Sequence, residues 1–442
     1  MMVKPTHPLK TFDELLAEAR TVHRLPSVSG AVAIGGRVAW VGAIGTADYE
    51  ERIAADASTQ YRMGSVSKTF TAAAVLLLRD RGALDLDDRL GTYLPEVSIP
   101  RVTLRQLLAH FGGVQREYPD GMWESLKFPS SADFRKALTH FEQVLPAGLH
   151  WHYSNLGFAL LGEVVARASG VDYEEFVTQN LLKPRELNRT TWEPSPPVAR
   201  GYFIHPYDGM ALPEPAVDLG ALSAAGQLWS NASDLARWGS YLAAAKNGVL
   251  APQTLAEMHS PNAIADNTWT RGAGLGLSLI RRRNHVYGAH EGFIAGCRAA
   301  VVWFPNKGVG AAVLANSRTV TKLLDVSIAL LQRTVDTPTR DEGARTSRPA
   351  PQSATPDVKG VLGRWWKEGQ QYVFDWHSGG LRARQRAEDS PSEEATFTRL
   401  NPDLYRTDSG SEIGELLKVI RDGDGEVTKL YWATYPLTRD PI

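Results

Sequence analysis

Met63-Gly64-Ser65-Val66-Ser67-Lys68-Thr69-Phe70 runs without a break into Thr71-Ala72-Ala73-Ala74-Val75-Leu76-Leu77-Leu78-Arg79-Asp80-Arg81-Gly82. The second half is rich in alanine and leucine and apolar nearly all round. It reads as a buried helix, with Gly82 suited to its C-terminal cap. Ser65 then stands at the helix start and Lys68 one turn later on the same face. Unsatisfied N–H groups and positive potential at a helix N-terminus favour an alkoxide on Ser65 and a neutral amine on Lys68. A serine hydroxyl is a weak nucleophile at neutral pH, and a partly desolvated lysine beside it can supply the base it needs. Alone, Ser-x-x-Lys is a pattern that chance supplies, with Ser65 a helix cap and Lys68 a solvated first-turn residue. Its meaning depends on the rest of the chain.

The 442 residues are 43% hydrophobic and 22% charged, with a net charge of −1. That is ordinary globular composition, enough for one large catalytic domain and a smaller unit. Near-neutral charge gives no electrostatic reason to expect nucleic acid or an anionic membrane as partner. The single cysteine, Cys297, excludes an internal disulfide. Met1 to Pro8 holds no apolar run like a signal peptide, and no stretch reaches transmembrane length, so a cytoplasmic location is the expectation.

Along the chain, Thr11-Phe12-Asp13-Glu14 is a capping box opening an amphipathic helix toward Arg24. Gly30 to Ile34 and Arg37 to Val41, joined by Gly35-Gly36, read as a hairpin. Leu84 to Pro95 reads as a loop with a short helix, and Val102 to His110 as a helix stopped by Gly112-Gly113. Residues 114 to 150 are aromatic and irregular (Tyr118, Trp123, Phe128) and suit either a pocket wall or packed surface loops. Tyr153 and Asn155 lie just ahead of a second buried helix, Leu156 to Ala168. Pro194 to Pro215 reads as a long loop. A helix follows over Leu235 to Ala245, ending at Asn247-Gly248, with Ser233 as its N-cap. Strands are expected at Leu275 to Ile280, His285 to His290, Arg298 to Phe304 and Val309 to Leu314, the last two joined by Pro305-Asn306-Lys307-Gly308. A helix over Val320 to Val335 closes this part. The first hairpin and the late strands are expected to share one sheet. Thr337 to Asp357 is poor in hydrophobics and reads as a linker. Val361 to Thr438, with Trp365, Trp366, Trp376 and Trp432, reads as an antiparallel β-module, a small barrel. Its Asp422-Gly423-Asp424-Gly425-Glu426 lacks the later ligands of a calcium loop and reads as a hairpin tip.

Three elements occur in order: Ser65-x-x-Lys68, Tyr153-x-Asn155 and His290-x-Gly292. With Gly64 before the serine, Leu107-Leu108-Ala109-His110, Leu156-Gly157-Phe158 and Ala224 to Ser230, they resemble the serine β-lactamase and penicillin-binding-protein superfamily over residues 10 to 335. The resemblance is to its class C branch, which includes DD-peptidases, D-aminopeptidases and esterases. It implies an α/β (α+β) fold, an antiparallel sheet flanked by helices, in a catalytic domain over 1–336. The linker 337–357 and a C-terminal barrel-like domain over 358–442 follow, and the latter resembles the lipocalin-like domain of some relatives.

The resemblance also implies roles. Ser65 attacks a carbonyl to form an acyl-enzyme, while Lys68 and Tyr153 exchange the proton, Tyr153 as phenolate or as a relay. Asn155 holds Lys68 and the substrate amide, and the N–H groups of Ser65 and Phe293 meet the oxyanion. Gly292, lacking Cβ, lets substrate lie along the strand edge. His290 stands where β-lactamases have lysine. A mostly neutral histidine grips a carboxylate less well, which points to amide or ester bonds of small or peptide-like substrates: a peptidase, aminopeptidase or esterase. A β-lactamase or DD-carboxypeptidase, and an acyl-binding sensor without turnover, are the alternatives. No cofactor and no metal is expected: His150-Trp151-His152 lacks a third ligand at helical spacing. Gly272 to Gly276 leads into a strand, the wrong context for a dinucleotide loop. Ser223 has no base nearby in sequence, and Cys297, without a charged partner, is taken as structural. The partner is a small-molecule or peptide-like substrate, with no nucleic acid and no membrane, and a homo-oligomer is compatible with the sequence.

Overall fold

The computed structural model describes residues 10–335 except 120, 245–248, 284, 306 and 320–321, and residues 358–441 except 378 and 386–393. The expected linker 337–357 and the Asn247-Gly248 helix end lie outside the described residues.

The larger body is built on a nine-stranded antiparallel sheet. Its centre joins the two ends of the region: Ser27–Ile34 pairs with Val309–Ala315, Val28 opposite Ala315 and Ile34 opposite Val309. Side chains alternate faces along a strand, so each central strand feeds two cores. Ala299, Val301 and Trp303 enter one hydrophobic cluster, and their neighbours Ala300, Val302 and Phe304 enter the other. The second cluster is covered by the helices Phe12–Val22 and Leu323–Val335 through Leu16, Leu324, Ile328 and Leu331. Thr11 and Glu14 do form the capping box of the first of these.

On the opposite face lies the helix Ser67–Asp80, entered through a 3-10 turn at Gly64–Val66. Every residue from Ser67 to Leu78 is buried, as the all-round apolar pattern predicts. Gly82 takes φ +72°, the left-handed conformation expected just past a helix end. Phe70 stacks on Trp238 at 4.1 Å between ring centroids, and the Trp238 indole N–H donates to Thr69 Oγ1 at 2.8 Å. The helix Asn155–Ser169, capped by Ser154, packs beside it.

Two local expectations are corrected. Asn231, not Ser233, caps the helix Ala232–Ala243, its side chain accepting from the Asp234 N–H at 2.9 Å. Asn231 has the extended backbone that an N-cap needs, whereas Ser233 is already helical. The alternation over Leu275 to Ile280 forms strand only as Ser278–Arg282, because Gly276 turns at φ +72° against Ala72. The loop over 194–215 also holds a short hairpin, Tyr202–Ile204 with Ala211–Pro213.

The C-terminal residues form an eight-stranded antiparallel meander paired in chain order. A bridge between Trp366 and Thr438 nearly closes it into a barrel. Trp365, Phe374, Phe397 and Trp432 fill its core, and Asp422 to Glu426 is a hairpin tip. Among the described residues, no helix is long and apolar enough to cross a membrane.

The packing of Trp238 yields a stability test. Trp238→Ala removes a fully buried ring stacked on the Ser65 helix, and should lower unfolding free energy by about 3–5 kcal/mol in urea titration. A loss under about 1 kcal/mol would contradict this packing.

Candidate active site

Ser65, Lys68, Tyr153, Asn155, His290, Gly292 and Phe293, drawn from three remote segments, meet at one place. The Lys68 side chain is fully buried, and its Nζ lies 3.1 Å from Ser65 Oγ, 2.6 Å from Asn155 Oδ1 and 2.7 Å from the Ala225 carbonyl. Burial pulls the amine well below its ordinary pKa; Glu117 opposes that and Arg116 reinforces it. A neutral amine has two N–H donors and one lone pair. In that neutral form, Asn155 Oδ1 and Ala225 O take the two donors and the lone pair is left to accept the Ser65 hydroxyl proton.

Two helices make this arrangement. Asn155 is the first residue of its helix, with its N–H donating to the Arg116 carbonyl at 2.8 Å. The turn carrying Ala225 is tied back to the Ser65 helix: Thr71 Oγ1 donates to Ala224 O at 2.6 Å, and the Leu228 N–H donates to Ser67 Oγ at 3.2 Å.

Tyr153 lines the cleft with Ser65, and burial raises its pKa above the ordinary tyrosine value, with the Ser65 hydroxyl opposing that, so the resting group is a phenol. Of the two states the resemblance allows, the relay fits this environment. Its ring is gripped from several sides: His110 stacks on it at 4.3 Å, and Lys68 Nζ and the Arg116 guanidinium each lie 5.0 Å from its centre.

His290 sits on the strand His285–Ile294, with Nδ1 2.7 Å from the Glu291 carbonyl. A ring nitrogen that close to a carbonyl oxygen donates its hydrogen, so Nε2 carries the lone pair. Burial, with Lys68 adding to it, pushes the imidazole down to about 3, and it is neutral at pH 7. Gly292 and Phe293 lie against the Ser65 turn. A Cβ on Gly292 would fall 1.8 Å from the Met63 carbonyl and 3.0 Å from the Ser65 nitrogen.

Ser65, Tyr153, Asn155, His290, Gly292 and Phe293 line a cleft of about 320 Å³, with Lys68 buried behind them. Trp123 and Trp151 from the irregular 114–150 region and its continuation wall it, whereas Tyr118 and Phe128 pack against the core. His150 is exposed and His152 Nε2 faces Glu415 at 3.1 Å. The barrel supplies part of the wall through Glu368, Ser411 and Tyr435.

Sequence reasoning missed Arg116, Glu117 and these barrel residues. Glu117 is buried and its Oε1 accepts from Asn155 Nδ2 at 2.7 Å and from the Tyr435 hydroxyl at 2.6 Å. No periodicity marks Arg116-Glu117, and nothing in the sequence links position 435 to position 117. The one available signal was the concentration of aromatics around them.

The sequence profile of the family described as Beta-lactamase matches residues 12–333, and that of a domain of unknown function, DUF7586, matches residues 354–439. Penicillin-binding protein 4* of Bacillus subtilis is 30% identical over 164 residues, which is 35% of this chain and 36% of that protein. The chain spans about two fifths of the length of the curated relatives it matches. The crystal structure of SurE superposes with a TM-score of 0.64 at 25% identity, covering 97% of this chain and 98% of that one; SurE has also been solved with D-Leu. A D-stereospecific amidohydrolase from Streptomyces sp. shares the fold, with a TM-score of 0.60 at 24% identity over 70% of this chain and 94% of its own.

The contact at Gly292 is testable. Gly292→Ala must force the strand and the Ser65 turn apart, so stability should fall by about 1–3 kcal/mol in chemical denaturation. A variant as stable as the parent would mean that the two backbones do not abut.

Proposed function

The chain belongs to the beta-lactamase family, and from that premise we propose that it is a serine hydrolase acting through an acyl-enzyme on amide or ester bonds of small or peptide-like substrates. The observation that carries this reading is the placement of Lys68: a buried amine held by Asn155 Oδ1 and the Ala225 carbonyl, with its Nζ 3.1 Å from Ser65 Oγ.

In this reading Lys68 Nζ takes the hydroxyl proton as Ser65 Oγ bonds to the substrate carbonyl carbon. The carbonyl oxygen becomes an oxyanion held by the N–H groups of Ser65 and Phe293. Collapse breaks the bond to the leaving nitrogen or oxygen, which receives the proton from Lys68 through the Tyr153 phenol. Water then attacks the acyl carbon, its proton passes back along the same path to Ser65 Oγ, and the bond from that carbon to Oγ breaks to release the acid and restore the Ser65 hydroxyl. Asn155 orients Lys68 throughout. Residues 1–336 act as the catalytic unit, and residues 358–442, a meander of the kind a lipocalin-like resemblance implies, shape its cleft.

The neutral His290 bears on the substrate. With its one hydrogen donated to Glu291 O, it offers an acceptor where a β-lactamase offers a cation. Such a site suits a substrate presenting a donor there and disfavours one presenting a carboxylate, which weighs against the β-lactamase and DD-carboxypeptidase alternatives. A D-configured residue beside the scissile bond is the class to try first, since SurE has been crystallised with D-Leu.

Two measurements test the reading. A fluorophosphonate should add covalently to Ser65 by intact-protein and peptide mass spectrometry, and Ser65→Ala should lower hydrolysis of p-nitrophenyl esters and D-aminoacyl anilides by roughly 10³-fold or more. Undiminished turnover in Ser65→Ala would end the assignment. His290→Lys should raise kcat/KM for nitrocefin relative to the esters, by about tenfold for one recovered charge-assisted contact. An unchanged ratio would remove His290 from substrate selection.

A further inference from the structure

Behind the proposed nucleophile a chain of hydrogen bonds leads out of the catalytic region and ends on the barrel. The Tyr435 hydroxyl, on the strand Tyr435–Leu437, donates to Glu117 Oε1. The same oxygen accepts from Asn155 Nδ2, and Asn155 Oδ1 accepts from Lys68 Nζ, which faces Ser65 Oγ. We propose that Glu117 and Tyr435 are positioning residues for acylation: together they fix the orientation of the Asn155 amide, and through it the direction in which Lys68 and Ser65 share their hydrogen.

Polarity fixes which way the Asn155 amide faces. An asparagine amide can turn over, exchanging its oxygen and nitrogen, at little steric cost. Facing Lys68 with its nitrogen, Asn155 would compete with the Ser65 hydroxyl for the only lone pair of the amine. Glu117 Oε1 forbids this, because that flip would bring Asn155 Oδ1 against another acceptor. Tyr435 is the second donor to the same oxygen, so Glu117 cannot rotate away without leaving a buried hydroxyl unpaired.

Packing from both bodies holds Tyr435 in place. Its ring stacks on Trp123 with centroids 5.5 Å apart, and Lys367 Nζ lies 4.5 Å from its centre. Around the pair, Arg116 Nε is 3.7 Å from Glu117 and 3.4 Å from Glu412, and Lys367 donates to Glu412 at 2.9 Å. The titratable groups facing Lys68 are Glu117, Arg116, Tyr153, His110 and His290. Among them Glu117 is the anion, and it holds the amine up against burial.

This inference rests on the reading of Ser65 as nucleophile, but its test need not. In full-length protein with ¹³C-labelled lysine, the Lys68 Cε resonance, assigned with Lys68→Arg, reports titration of the amine without any substrate. Glu117→Gln keeps the shape and removes the charge and the fixed acceptor. The Lys68 titration should move to lower pH, and the rate of labelling by a fluorophosphonate should fall about 10- to 100-fold with the acid limb of its pH profile shifted the same way. Tyr435→Phe keeps the ring and removes the hydroxyl; it should move both readouts in the same direction by a smaller amount, and carries the test should Glu117→Gln not fold. Thermal melts and near-UV circular dichroism establish which variants are folded. A folded variant whose Lys68 titration coincides with that of the parent overturns the proposal, whatever its rate. A parent protein that is never labelled at Ser65 counts against the hydrolase reading alone.

Discussion

One buried amine constrains the rest of the molecule. Lys68 has no exposure to water, and an uncompensated ammonium at such a depth costs several kcal/mol. The site meets the cost by favouring the neutral form and by placing protein acceptors around it. Neither is available to a lysine on a half-exposed helix, so the helix Ser67–Asp80 has to be enclosed on every side. That accounts for its unusual run of alanine and leucine, and for the stacking of Phe70 on Trp238 beneath it. The same helix face also holds its own partners: Ser67 and Thr71 tie down the turn whose Ala225 carbonyl receives a Lys68 hydrogen. Core packing and chemistry therefore cannot be separated here.

The barrel meets the catalytic body through groups that are themselves buried and charged. Burial pushes Glu412 up, but Arg116 and Lys367 outweigh it and hold the carboxyl at about 2. Glu415 accepts from the Arg116 N–H at 2.7 Å. Buried ion pairs add little net stability compared with apolar residues of the same shape, yet removing one member leaves a charge stranded. Their effect here is on placement. They set where Tyr435 and Glu368 enter the cleft, more than how tightly the barrel is held.

Much of this was legible in the sequence, and the limits have physical causes. The Ser65 helix, the first hairpin and the late strands announce themselves through period and caps, and the pairing of the two ends follows because each needs a partner for both faces. Ser65, Lys68, Tyr153, Asn155 and His290 are readable because short motifs record local geometry: one helical turn from Ser65 to Lys68, one helix start at Asn155, one strand at His290. Glu117 and Tyr435 left no such record. Each sits in a segment without periodicity, and their meeting depends on how a barrel lies against a cleft, which no local pattern encodes. The N-cap at Asn231 was misplaced by two residues for a smaller reason, since Asn231 and Ser233 are equally good caps and only backbone dihedrals choose between them.

The state of His290 and that of Lys68 follow from each other. Both are buried in one small volume, and Lys68 lowers the affinity of His290 for a proton, so a second positive charge cannot be added cheaply beside the first. A lysine at position 290 would bring that charge permanently, and the base beside Ser65 would titrate lower still. Histidine avoids this conflict. It keeps a polar group on the strand, ties its hydrogen to the backbone and adds no further charge beside Lys68 at neutral pH. The hydrogens free to move beside Lys68 are then those of Ser65 and Tyr153, and the neutral amine has a lone pair within reach of the Ser65 hydroxyl. Proton sharing at Ser65 then depends on the direction of hydrogen bonds, which is why the orientation of one amide, at Asn155, matters so much.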